Sequence, residues 1–283
     1  SSPELSKTTC PMATFAQHLD IIMPSNSIQA SYVEGTVRLM LLHIHRLMAQ
    51  TNIDFSEALQ NHADVYRKTS FYNLEDPSMT RELRPDWDRC AAQLASIMER
   101  SLYRKSSPSE AEDAGFALLK PYLIERIERG LPIIDYLQTT SFGCFFYETQ
   151  ASVLDLHFIN RVMPASPFAN IHERVIELTG LLSHCLQTNP NLKTIKFGSW
   201  LNDYPPYRKL FPASWHDSGE RKKYNSFAWW GQFMNRQGDI HTSNAAVFRE
   251  TEKFPYQCTF HQCTVQDLQL HLGEMMENKT RYA

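Results

Sequence analysis

The stretch from Val153 to Trp215 constrains the fold more than any other part of the chain. It begins with VLDLHFIN, an alternating apolar run that suits a strand, and passes through a loop bracketed by Pro164 and Pro167. A helical segment, Phe168 to Leu186, follows, with Ile171, Val175, Leu178, Leu181, Leu182 and Cys185 on one stripe. After an NPN turn comes LKTIKFGSW, a second strand. Two strands joined through a helix of that length pair in parallel, and the connection is right-handed. Ligands of such units collect beyond the carboxyl ends of the strands, which here carry a loop crowded with rings and polar groups.

The residues before this unit read as helices. Residues up to Ser25 form an arm that brings Phe15, Leu19, Ile21 and Ile22 onto the body, and Ser27 to Gln50 then carries Val33, Val37, Met40, Leu41, Ile44, Leu47 and Met48 at helical spacing. Asp54 caps a second helix through Leu59, Ala63 and Tyr66, and Pro85 opens a third with Trp87, Cys90, Leu94, Ile97 and Met98 in a stripe. Ser109 with Glu112 has the form of a capping box for a fourth, which ends at Gly130. SFGCFFYETQ and SVLDLHFIN then form a hairpin turned at Thr149 to Ser152. FAWWGQFMN and SNAAVFRE form another turned at Arg236 to Asp239, and Thr264 to Glu277 closes the chain as a helix. The expected fold class is therefore α+β: a helical N-terminal half, residues 1–135, followed by a mixed sheet with a crossover helix, residues 136–283.

Composition narrows the partners. A formal net charge of -3 gives no general attraction to nucleic acid or anionic membranes, so the expected partner is a small molecule, with an oligomer allowed. The most apolar window, Val37 to Met48, is broken by Arg38, His43, His45 and Arg46, and is shorter than the roughly 20 residues of a membrane span. The N-terminus lacks the basic start and apolar core of a secretory signal, and the six scattered cysteines suit free thiols in a reducing cytoplasm. No Gly-x-Ser-x-Gly elbow, P-loop or dinucleotide fingerprint is present, which disfavours the commonest serine hydrolases, nucleotide hydrolases and dinucleotide-dependent dehydrogenases. His43 and His45 point to nearly opposite sides of one helix, and Cys258 faces away from His261 and Cys263 on a strand, so no metal is expected.

The order VLDLHFIN, RVMPASPF, ANIHERVIELTGLLSHCLQ, LKTIKFGSW, then Asn202 and PPYRKLF resembles the central part of the GNAT-type acyltransferases, over roughly Phe142 to Phe211. The resemblance implies a GNAT-like fold, acyl-CoA or another acyl donor, and transfer of the acyl group to a small amine or related acceptor. That family cradles pyrophosphate on a Gly-rich turn at the helix N-terminus. Here the corresponding turn has no glycine, and Pro164 and Pro167 each remove a donor. Asn160, Arg161, Ser166 and Asn170 are left as the anion contacts.

Glu148 and His157 lie near the ends of the hairpin strands, and Asp155 shares a face with His157. An attacking amine must lose a proton, so either Glu148 or His157 is the expected base. The resemblance implies an acid that protonates the leaving thiolate, and Tyr207 matches it, with Tyr204 as rival. Ser199, Trp200, Asn202, Asp203, Tyr204 and Arg208, at a strand's carboxyl end, are the expected substrate contacts, joined by Trp230 if its ring faces outward. Two other classes remain open: a non-catalytic ligand- or partner-binding module, favoured by the altered turn, and a metal-dependent oxidase of the helical half.

Overall fold

The computed structural model describes residues 26–280 apart from 64, 73–85, 130–140 and 222–226. The N-terminal arm, Pro85, Gly130 and the 135/136 boundary lie outside the described residues. The helical part comprises α1 (Asn26–Thr51), α2 (Phe55–His62), α3 (Trp87–Arg104) and α4 (Pro108–Glu128), with a 3-10 turn at Val65–Lys68. Asp54 does cap α2, its carboxylate accepting from the Glu57 N–H at 2.8 Å. The cap of α4 is Ser107 rather than Ser109. Pro108 takes the first helical position, where its missing N–H costs nothing, and this moves the start two residues upstream.

The sheet has strand order β1 (Ser141–Phe142), β2 (Phe145–Gln150), β3 (Val153–Phe158), β4 (Thr194–Ser199), β6 (Thr259–Thr264), β5 (Glu220–Arg221). β2 and β3 are an antiparallel hairpin, turned at Ala151, which takes a positive φ of 53°. Helix α5 (Ile171–Thr188) then crosses over and delivers β4 parallel to β3, as the alternating strands and the apolar helix stripe require. The fold is thus α+β with a mixed sheet.

One expected hairpin is absent. Beyond the short helices α6 (Pro205–Arg208) and α7 (Ala213–Asp217), residues Phe227–Trp230 form α8, Gly231–Phe233 a 3-10 turn, and Thr242–Thr251 form α9. The expected turn does exist, held by the Asn235 side-chain oxygen accepting from the Gln237 and Asp239 N–H groups, and a single Met234–Ile240 bridge flanks it. The flanks are helical because Trp230, Phe233 and Phe248 all turn inward, onto the core of α1 to α4. After that excursion, made between β5 and β6, the chain returns through β6 to α10 (Val265–Thr280).

Two apolar cores result. One gathers α1 to α4 with Trp230, Phe233 and Phe248. The other lies on one face of the sheet, under α5 and α10, around Leu154, Leu156, Leu178, Ile195 and Leu268. Period-two alternation turns the remaining strand residues to the opposite, outer face. No helix among the described residues is long and apolar enough to cross a membrane.

Candidate functional site

The outer face is arranged in rows by the pairing register. Phe146 pairs with His157 across β2 and β3, and Gly198 with Phe260 across β4 and β6. The next row is Glu148, Asp155, Lys196 and Gln262. Phe146 and His157 stack at 4.8 Å between centroids, which fixes the imidazole plane. His157 Nε2 lies 3.8 Å from a Glu148 carboxylate oxygen, beyond hydrogen-bond length but close enough to form an ion pair once the ring is protonated. Asp155 is engaged by Lys196 at 3.0 Å. The fold therefore brings together the two residues expected to act as base.

His157 is held below its usual pKa range, chiefly because burial disfavours the cation. Asp155 and Glu148 oppose that effect, while Lys196 adds to it. Its Nε2 is sealed from solvent and has no hydrogen-bond partner among the described residues. A neutral imidazole flanked by a carboxylate can take a proton and stabilise the resulting cation.

Beside this pair the sheet changes character. The β3–β4 ladder covers only Val153–Thr194, Leu154–Ile195 and Asp155–Lys196, although both strands continue for three more residues. The Ile159 N–H bonds to the Cys144 carbonyl, in register with the β2–β3 ladder, so the alternate residue Phe158 turns its backbone groups away from β2 toward β4. The Val265 N–H bonds to the Lys193 carbonyl, which by the same alternation turns the Gly198 N–H toward β3. Backbone donors of Phe158 and Gly198 thus face the interval where the two strands no longer pair.

Tyr207 requires a correction. It is fully buried on the core face of the sheet, with ring centroids 5.6 Å from Phe158 and 5.5 Å from Phe197, opposite the face that holds Glu148 and His157. Burial raises its phenol well above the ordinary range, and its hydroxyl has no hydrogen-bond partner among the described residues. The local sequence explains this: Pro205 and Pro206 start a short helix that drives the third residue, Tyr207, inward. It shares no cleft with the base pair.

The expected anion contacts are occupied in holding their own loop. Asn160 donates to the Ala165 carbonyl and accepts from the Val162 N–H, and Ser166 accepts from the Phe168 N–H. Arg161 donates to the Ser141 hydroxyl, while the Asn170 amide donates to Glu173. Each of these side chains is thus engaged with a protein group. What remains is a cavity of about 330 Å³ at the start of α5, lined by Ala169, Asn170, Ile171, His172, Val175 and Met275.

The expected substrate contacts divide in the same way. Asn202 is buried and structural, its amide donating to the Phe197 and Thr259 carbonyls and its oxygen accepting from the Trp215 indole. Ser199 caps the 3-10 turn at Trp200–Asp203, and Asp203 accepts from the Gln257 N–H. Trp200 and Tyr204 form a packed ring cluster with Tyr256, at 5.5 to 6.0 Å between centroids. Burial, then neighbouring Tyr256, raises the Tyr204 phenol. Arg208 is exposed. Trp230 faces inward, 1% exposed in the helical core, with its indole on the His62 carbonyl, so it contacts no sheet-side ligand.

Sequence reasoning missed Phe146 and Lys196 as neighbours of the base. Alternation alone gives each one's face within its strand, but the registers that set them beside His157 come from pairing. Among the described residues no three His, Cys, Asp or Glu side chains converge as metal ligands would. His261 is held by the Trp215 carbonyl at 2.7 Å and the Thr259 hydroxyl at 3.0 Å. No family model matches this chain, and neither does any curated protein or solved structure.

Proposed function

We propose that this chain is an acyltransferase-like enzyme of GNAT-like topology, moving an acyl group from a thioester donor to a small amine on the outer face of the sheet. One observation carries the reading: a parallel β–α–β pair stops pairing beside a neutral imidazole whose Nε2 lies 3.8 Å from a carboxylate oxygen. In the resembled family a strand N–H polarises the thioester carbonyl, and the Phe158 and Gly198 N–H groups are the candidates for that role here. His157 takes the proton of the attacking amine on Nδ1, the ring nitrogen other than the sealed Nε2, the new C–N bond forms, and the C–S bond breaks. The thiolate leaves and is protonated from solvent. Glu148 stabilises the imidazolium.

The donor need not be acyl-CoA, because the loop side chains that would grip a diphosphate are engaged elsewhere. Backbone N–H groups at the start of α5, opening on the 330 Å³ cavity, are the place for any anionic tail. The same loop favours a second reading, a non-catalytic binding module that keeps the topology without the chemistry.

Thiol release separates them. Acetyl-CoA, octanoyl-CoA and an acetyl N-acetylcysteamine thioester, each with a panel of primary amines, are expected to give amine-dependent thiol. Binding of a donor also raises the melting temperature by mass action. A melting shift without thiol release selects the binding module, and neither response with any donor removes the transferase.

A further inference from the structure

We infer that Lys196 is a positioning residue for the base: it holds Asp155 toward β4 and leaves Glu148 as the carboxylate that serves His157, a conclusion that rests on the transferase reading. The placement comes from pairing. Asp155 stands opposite Glu148 on β2 and opposite Lys196 on β4, so two carboxylates and one ammonium follow one another across three strands. His157 is two residues further along β3 and shares the face of Asp155. Lys196 Nζ lies 3.0 Å from Asp155 Oδ2, whereas the carboxylate oxygen 3.8 Å from His157 Nε2 belongs to Glu148.

Like charges directly opposite one another on paired strands repel. Without Lys196, Asp155 would face Glu148 on one side and the imidazole along its own strand, and the ring would hold its proton more firmly between two carboxylates. A base must be free of that proton when the amine arrives. With the bridge formed, the three charges sum to a single negative one, borne beside His157 by Glu148, which is enough to steady the imidazolium as it forms. The groups act on the ring in that sense: Asp155 and Glu148 favour its charged form and Lys196 disfavours it. Lys196 and Asp155 are 42% and 40% exposed, so the bridge adds little to stability, and its consequence is the field at His157.

The test follows the His157 Cε1–H proton by NMR against pH in the full chain, with His157→Gln identifying its signal, alongside transfer rates at pH 6 and pH 8. In Lys196→Gln the titration midpoint is expected to move up, and transfer to fall roughly threefold at pH 6 while holding at pH 8. Lys196→Arg keeps the charge and should restore both. In an Asp155→Asn background Lys196→Gln should move the midpoint less, because its partner is gone. Melting temperatures should change little, as for any half-exposed bridge. An unmoved midpoint in Lys196→Gln, a Lys196→Arg that behaves like Lys196→Gln, or an equal shift with and without Asp155 overturns the inference. A midpoint that moves as expected without transfer from any thioester keeps the role of Lys196 toward His157 and removes the transferase. Transfer with one pH profile in every variant keeps the transferase and overturns the role of Lys196.

Discussion

At the scale of single residues, burial sets the protonation of the histidines. His43 is pushed down to about 3, first by burial and then by His62 and Arg46, and its Nε2 has no partner among the rings of Trp230, Phe248 and Phe254. Its folded pKa lies below the unfolded value near 6.5, so its contribution is complete above pH 6.5 and is lost as pH falls toward 3. Each pH unit in that window costs about 1.4 kcal/mol from this group. Urea midpoints are therefore expected to drop between pH 7 and 5, and less steeply in His43→Leu. Parallel pH curves for the two proteins would remove His43 as the cause. Glu148 supports the protonated form of His157, so Glu148→Gln is expected to shift the acid limb of the transfer rate to lower pH and to slow turnover several-fold. An unshifted limb would make Glu148 a bystander.

Among the secondary elements, Asn202 shows how a polar loop residue holds a sheet. Its amide bridges the carbonyls of Phe197 and Thr259, at 3.0 and 2.9 Å, and so ties β4 to β6 at the end where β3 has left. Asn202→Ala leaves those carbonyls and the Trp215 indole short of a partner, which should cost about 2 to 3 kcal/mol in urea unfolding. A loss within experimental error would mean the bonds contribute nothing net. The crossover unit was legible because period-two strands, a period-3.6 stripe and Pro/Asn turns agree there. FAWWGQF was not: rings at Phe227, Trp229, Trp230 and Phe233 suit a strand as well as two turns of helix, and only the distant core on α1 decides between them. Tyr207 failed for a related reason, since its place in the sequence fixes its loop but not which face of the sheet the loop folds over.

On the scale of the whole molecule, the chain visits its two cores alternately: residues 26–128 build the first, 141–221 the second, 227–254 return to the first and 258–280 to the second. Arg249, on α9, holds Glu112 of α4 through two bonds of 2.7 and 2.8 Å, which binds the excursion to the helical part. Neither core is complete without a segment enclosed by the other, so one cooperative unfolding transition is expected. Phe248→Ala in one core and Leu178→Ala in the other should each lower that same transition, by about 2 to 5 kcal/mol. Two endotherms that move independently in calorimetry would contradict it.

The outer-face chemistry depends on that scaffold, because Glu148 and His157 meet only when β2 and β3 are in register. The most direct test is the rate of acyl transfer from a thioester to a primary amine against pH, in the unmodified chain and in His157→Gln. The unmodified rate should fall on an acid limb below pH 6.5, where the depressed imidazole becomes protonated, and His157→Gln should lose the limb and about a hundredfold or more in turnover. A His157→Gln protein that transfers acyl groups at the unmodified rate, with the same acid limb, would contradict the placement of the reaction on this face of the sheet.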